Sequence, residues 1–158
     1  MVTKTSTETT SAQVMSKVVP TFTVKRTITG LGLFTLKPLT EGKRIIEYTG
    51  KIISSDDKKE MSGRYLFEIS EKLAINGKTR TNLARYINHS CRPNAIAYLS
   101  GRRVWIWAKR NIKAGEPITI DYGKRYFDDY IRPIGCKCEK CVKKLNGSSG
   151  KVASPQPV

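Results

Sequence analysis

The stretch Tyr86-Ile87-Asn88-His89-Ser90-Cys91-Arg92-Pro93-Asn94-Ala95 holds the chain's one histidine and one of its four cysteines. Two apolar residues run into Asn-His-Ser-Cys, and Arg-Pro-Asn then breaks any regular element. Asn, Ser and Pro-Asn favour turns, because their side chains satisfy nearby backbone groups or fix φ. A thiol and an imidazole in such a polar knot are costly to bury without partners. The stretch is therefore a surface turn, a locally satisfied knot or a site, and the rest of the chain decides between these.

The 158 residues, 39% hydrophobic and 27% charged, suit one domain with a single core plus tails. No run approaches the roughly 20 apolar residues of a membrane span. Residues 1–10, rich in Thr and Ser, lack the apolar segment of a secretory signal, so a cytoplasmic or nucleoid-associated protein with no membrane partner is expected. The net charge is +16 and is spread along the whole length, so no basic arm is its source. A surface of that charge favours polyanions, through counterion release on nucleic acid or attraction to acidic proteins. The densest basic pairs, Arg102-Arg103, Lys109-Arg110 and Lys143-Lys144, match no nucleic-acid motif.

Residues 1–20 have no hydrophobic periodicity and read as a flexible tail. Phe22-Thr23-Val24-Lys25-Arg26 alternates like a half-buried strand. In Gly30-Leu31-Gly32-Leu33-Phe34 the glycines permit a sharp turn between strands and close approach of the backbone to another group. The third glycine and the helix of a dinucleotide fingerprint are missing. Ile45 to Ile53 is β-rich, with Gly50 marking a bulge or bend. Ser55 to Met61 reads as a short helix capped by Ser55. Arg64 to Ile69, Leu73 to Ile75, Ala95 to Leu99, Arg103 to Ala108 and Ile118 to Gly123 read as further short strands separated by turns. Tyr126 to Ile131 reads as a helical turn, and residues 146–158 as a disordered tail. Many short strands and little helix give a mainly β fold.

Cys136-Lys137-Cys138-Glu139-Lys140-Cys141 places three thiols within six residues, and Cys91 lies 45 residues before the first of them. Four thiols is the count of a tetrahedral structural zinc site. Clustered cysteines in a reduced compartment are more often metal ligands than disulfides, and flanking lysines favour the thiolate. If Cys91 is the fourth ligand, the Asn-His-Ser-Cys stretch and the C-terminal segment meet in space.

Taken together, these pieces resemble the SET-domain protein lysine methyltransferases. The likeness runs from about Phe22 to Cys141 through Gly30-Leu31-Gly32-Leu33-Phe34, Glu47-Tyr48-Thr49-Gly50, Tyr65-Leu66-Phe67, Arg85 to Asn94, Gly115 to Gly123 and the post-SET cysteines. No pre-SET cluster is present, which resembles the minimal bacterial or viral style. The resemblance implies a fold of several small β-sheets with a pseudoknot, a SET domain over residues 21–124 and a zinc-stabilised post-SET segment over 125–145. It implies methyl transfer from S-adenosylmethionine to the ε-amine of a lysine in a protein substrate, such as a histone or another nucleoprotein component. Carried over, Gly30, Leu31, Gly32, Tyr65, Arg85, Asn88, His89 and Tyr122 would hold the cofactor. Tyr122, Tyr48 and Tyr65 would form the catalytic lysine channel. Cys91, Cys136, Cys138 and Cys141 would hold one structural zinc, leaving His89 and Cys91 in different sites. Location in cytoplasm, nucleoid or chromatin is implied, delivery of a bacterial effector to a host nucleus included. Two departures stand out. Ile120 replaces an aromatic common two residues before the tyrosine, which leaves the product's methylation degree open. The second gap of Cys-x-Cys-x-x-Cys is also shorter than usual. An inactive module binding zinc and a polyanion, or a DNA-binding zinc protein, is the alternative.

Overall fold

A computed structural model describes residues 20–54 and 65–148. The expected helix at Ser55–Met61 and the start of the strand at Arg64 lie outside the described residues. Among the described residues the strands form four small sheets. Strands β1 (Phe22–Thr27) and β2 (Gly30–Thr35) form an antiparallel hairpin. Strands β3 (Arg44–Tyr48), β8 (Ala95–Ser100) and β9 (Arg103–Ala108) form a second sheet in the order β3-β9-β8. Strands β4 (Lys51–Ser54), β5 (Leu66–Glu68) and β6 (Leu73–Asn76) form a third, ordered β4-β6-β5. The fourth is a two-residue parallel pair, β7 (Asn88–His89) beside β10 (Thr119–Ile120).

Alternation explains where the core lies. Along β9 the side chains of Val104, Ile106 and Ala108 are buried, while Arg103, Trp105 and Trp107 point the other way. Val104 and Ile106 join Leu33, Tyr48, Ile75, Ala84, Ile87, Ala95, Ile118 and Ile120 in one cluster. Each fully buried branched side chain there contributes about 1.5–3 kcal/mol through the area it removes from water.

Three expectations need correction. The turn between the first strands is formed by residues 28–29, and Gly30 and Gly32 lie within β2. Residues 45–53 are two strands in different sheets, separated at Thr49-Gly50. A Cβ on Gly50 would stand 2.1 Å from the carbonyl oxygen of Asn76, so the glycine serves close approach where the chain changes sheet. Finally, helix α1 (Glu139–Ser148) contains Cys141 and runs past residue 145, where the expected tail begins.

Asn94 ties the opening stretch to the segment before Tyr122. It is buried, its Nδ2 donates to Pro117 O (2.8 Å) and Glu116 Oε1 (3.1 Å), and its Oδ1 accepts from the Thr119 N–H (2.8 Å). Glu116 is held in turn by Arg110 and by the Lys113 N–H. The Arg110 hydrogen bond, aided by the Lys113 amide and Asn94 against an opposing burial effect, lowers its pKa from 4.5 to about 2.

Two predictions follow from the packing. Gly50→Ala is expected to destabilise the fold by about 1–3 kcal/mol, since backbone must move to admit the methyl group; urea unfolding measures this. Glu116 carries a depressed folded pKa, so its contribution is complete above pH 4.5 and is lost as pH falls toward about 2. Glu116→Gln is therefore expected to flatten the decline in stability across that window, read by denaturation at a series of acid pH values.

Candidate active site and metal centre

The parallel pair β7–β10 sets the geometry of the site. Register places Asn88 beside Thr119 and His89 beside Ile120, and the Ser90 N–H donates to Ile120 O (2.9 Å). Asp121 and Tyr122 therefore leave β10 alongside His89. The Tyr122 N–H donates to His89 Nδ1 (3.3 Å), and the Tyr122 hydroxyl donates to Ile87 O (2.6 Å). With Nδ1 accepting, the neutral ring carries its proton on Nε2. Nε2 lies 3.4 Å from Cys91 Sγ. His89 and Cys91 are thus neighbours in space. The side chain of His89 is 7% exposed. Burial pushes its pKa down, and Asp121, 3.8 Å away, opposes that only in part.

The four thiols converge. Cys91, Cys136, Cys138 and Cys141 have sulfurs all within 4.8 Å of one another, with Cys91–Cys136 at 3.8 Å and Cys91–Cys141 at 3.7 Å. Metal–sulfur bonds of about 2.3 Å at tetrahedral angles put sulfurs about 3.8 Å apart, so the donor set fits such an ion. Gly135, at φ = 78°, reverses the chain just before the cluster. The Val142 N–H then donates to Cys138 O (3.0 Å), which starts α1 and presents Cys141 from its first turn. Burial opposes ionisation of Cys138, but backbone N–H groups of Cys91 and Cys141 outweigh it and bring the thiol down to about 6.

The three tyrosines gather on the other side. Tyr48 is 7% exposed and its hydroxyl donates to Tyr65 O (2.9 Å). Tyr65 O also accepts the Gly77 N–H (2.8 Å). These bonds hold Tyr65 at φ = 67°, a left-handed conformation that costs a tyrosine roughly 1–2 kcal/mol. Strain retained in this way marks a constrained position. Burial raises the pKa of both Tyr48 and Tyr122 far above the usual phenol value, so both stay protonated. Tyr126 packs edge-on against Tyr122, with centroids 5.1 Å apart, and Phe127 packs on His89 at 5.3 Å. Neither was anticipated as a site residue. Tyr122, Tyr126 and Tyr130 recur every four residues, the spacing that aligns side chains on one helical face, and that signal was present in the sequence.

The residues expected to hold a cofactor surround a crowded backbone. Asn88 Nδ2 donates to Leu31 O (3.1 Å). A Cβ on Gly32 would lie 2.8 Å from Thr27 Cγ2 and 3.1 Å from Asn88 Nδ2, so only glycine leaves Asn88 its place. The Arg85 guanidinium stacks on the Tyr65 ring at 3.9 Å and donates to Lys78 O. Its buried Nε has no hydrogen-bond partner among the described residues. A buried donor of this kind is expensive unless something accepts from it. Asp128 is engaged by Lys124 and Arg132, and Asp56, Asp57 and Glu60 lie outside the described residues.

Residues 30–123 match the SET domain family. The chain is 38% identical over 131 residues to the histone-lysine N-methyltransferase trithorax of Drosophila virilis, covering 75% of this chain and 3% of that protein. It is 37% identical over 128 residues to histone-lysine N-methyltransferase set1 of Dictyostelium discoideum, 73% of this chain and 8% of that protein. With the H3 lysine-4 specific histone-lysine N-methyltransferase of Schizosaccharomyces pombe it shares 35% over 121 residues, 68% of this chain and 13% of that protein. This chain belongs to the SET domain family. It spans only a small part of the length of the curated relatives it matches.

The thiol geometry predicts one equivalent of bound zinc by elemental analysis of the purified protein. Cys138→Ser is expected to lower zinc affinity and to expose α1 to proteolysis. Full retention of zinc in this variant would remove Cys138 from the ligand set.

Proposed function

We propose that this chain is a protein-lysine N-methyltransferase that uses S-adenosylmethionine, with one structural zinc held by Cys91, Cys136, Cys138 and Cys141. The observation that carries the reading is the joint placement of His89, Tyr122 and the four thiols around the β7–β10 pair. Gly30, Leu31, Gly32, Tyr65, Arg85, Asn88, His89 and Tyr122 are assigned to the cofactor. The Arg85 Nε, without a partner among the described residues, and the narrow space beside Gly32 support that assignment. Bound there, the cofactor supplies an electrophilic methyl group on a sulfonium.

The protein's own groups do the rest. A lysine amine ordinarily has a pKa near 10.4, so it must shed a proton before it can attack. A desolvated channel lined by Tyr48, Tyr65 and Tyr122 favours the neutral amine. Because Tyr48 and Tyr122 remain protonated, neither is a competing nucleophile or a resident strong base, and the substrate's proton leaves to water. The Tyr122 hydroxyl, anchored on Ile87 O, orients the attacking nitrogen. With the cofactor held by the residues assigned above, its methyl group would pass to the lysine nitrogen as the methyl–sulfur bond gave way, leaving a methylated ammonium and a neutral thioether. Alignment of the three atoms accounts for much of the rate. Tyr126 is assigned to the channel wall beside Tyr122. Ile120, buried next to His89 in register, offers no hydroxyl to restrict successive methylations.

The relatives are named for histone lysines, and a chromatin or other nucleoprotein substrate reconciles the charges here. A +16 chain repels a free basic tail, whereas nucleic acid attracts the enzyme and an associated basic protein supplies the lysine. Chromatin or nucleoid association is the corresponding location. No helix among the described residues is long and apolar enough to cross a membrane.

Tyr122→Phe is expected to reduce methyl transfer on the order of 10²-fold while cofactor affinity, measured by calorimetry, changes little. Absence of any cofactor binding by the unmodified protein would sink the enzyme reading. Labelling of a lysate with tritiated methyl donor is expected to mark a basic protein, and nuclease treatment to reduce that labelling.

A further inference from the structure

The outer face of the β3-β9-β8 sheet takes no part in the site described above. Alternation that buries Val104 and Ile106 sends Trp105 and Trp107 outward. Register sets Trp105 across from Tyr98 and Trp107 across from Ile96 on β8. The face is open: Tyr98 is 54% exposed and Ile96 37%. Tyr98 and Trp107 meet edge-on at 6.3 Å and line two adjoining shallow clefts of about 320 and 330 Å³. The guanidiniums of Arg44 and Arg103 lie over the Trp105 ring at 4.3 and 4.7 Å. Glu47 is engaged by Arg103 through two hydrogen bonds of 2.8 and 2.6 Å. Arg44 is in no ion pair among the described residues, and Lys109 borders the second cleft opposite Glu41.

We propose that this face is a stacking platform for single-stranded nucleic acid, with bases on Tyr98 and Trp107 and phosphates on Arg44 and Lys109. Three observations select that occupant. Aromatic rings on a sheet surface offer π-faces to any base, the chemistry by which sheet-borne aromatics hold splayed nucleotides. The Arg44 guanidinium, lying on the Trp105 indole and in no ion pair among the described residues, has N–H groups that a phosphate can accept. The chain's charge of +16 draws a polyanion toward the face over distances at which an uncharged peptide feels nothing. The proposal deepens the nucleoprotein reading: the enzyme would be held on the nucleic acid while its site works on an attached protein. It requires no duplex and no base sequence.

The chain's two tryptophans are both on this face, so intrinsic fluorescence reports on it directly. The test uses the full chain and a fluorescein-labelled poly(dT) or poly(U) oligonucleotide, with no methyl donor present. Binding by anisotropy should be accompanied by quenching of tryptophan emission and should weaken with salt. Trp107→Ala and Tyr98→Ala should each weaken binding roughly ten-fold or more, and Trp107→Phe should recover most of the affinity. Methyl transfer to a short free peptide should be the same in all three variants. Should Trp107→Ala fail to fold, Tyr98→Ala, at an exposed position, carries the test. Binding without quenching, undiminished affinity in Tyr98→Ala, or quenching by a peptide from a protein that does not bind the oligonucleotide would each overturn the proposal. Because binding is read without catalysis, its failure leaves the methyltransferase reading intact, and the reverse also holds.

Discussion

Two residues of parallel pairing organise this protein. Asn88–His89 against Thr119–Ile120 is a very short ladder, and alone it would be worth little. It persists because its surroundings allow no alternative. Asn94 binds Pro117, Glu116 and Thr119 from one side. Ile87, Ile118 and Ile120 are buried from the other. A polar side chain that satisfies three backbone or side-chain groups inside a core specifies one register, because any slip would leave buried groups unpaired.

From that pairing the rest of the site follows. His89 stands between the Tyr122 amide and the Cys91 thiol, so one imidazole touches both the tyrosine end and the thiol cluster. The thiols in turn connect a loop to the first turn of α1. A change at the thiol cluster can therefore reach Tyr122 through a single ring. The tyrosines form the opposite pole. The hydroxyls of Tyr122 and Tyr48 are tied to the backbone carbonyls of Ile87 and Tyr65, and burial keeps these two phenols neutral. The charge of the molecule sits on the outside, where Trp105 and Trp107 share the β9 outer face with Arg103.

Much of this was legible from residue order. Alternation in Arg103 to Ala108 gave the strand, its buried face and its aromatic outer face. The count and spacing of cysteines pointed to a tetrahedral site, and the Asn-His-Ser-Cys stretch with Asp121-Tyr122-Gly123 pointed to the SET family, to which the chain belongs. Other features were hidden for physical reasons. Gly50 looks like a bulge in sequence, and only the approach of the Asn76 carbonyl shows that a change of sheet occurs there. The left-handed Tyr65 leaves no trace in composition, since two hydrogen bonds from distant residues impose it. The helix carrying Cys141 has a glycine and an asparagine near its end, which lowered its apparent propensity.

The linear chain by itself determined the strands, the core faces, the thiol count and the family, because those depend on periodicity and on residue types in order. The tertiary structure alone decided that His89 and Cys91 are neighbours, that Tyr126 and Phe127 pack on Tyr122 and His89, and that Arg85 has a buried donor without a partner among the described residues. Those are relations between side chains carried by separate segments. Short-range pattern cannot express them, since the distance between two such groups is set by how the β7–β10 pair brings the segments together.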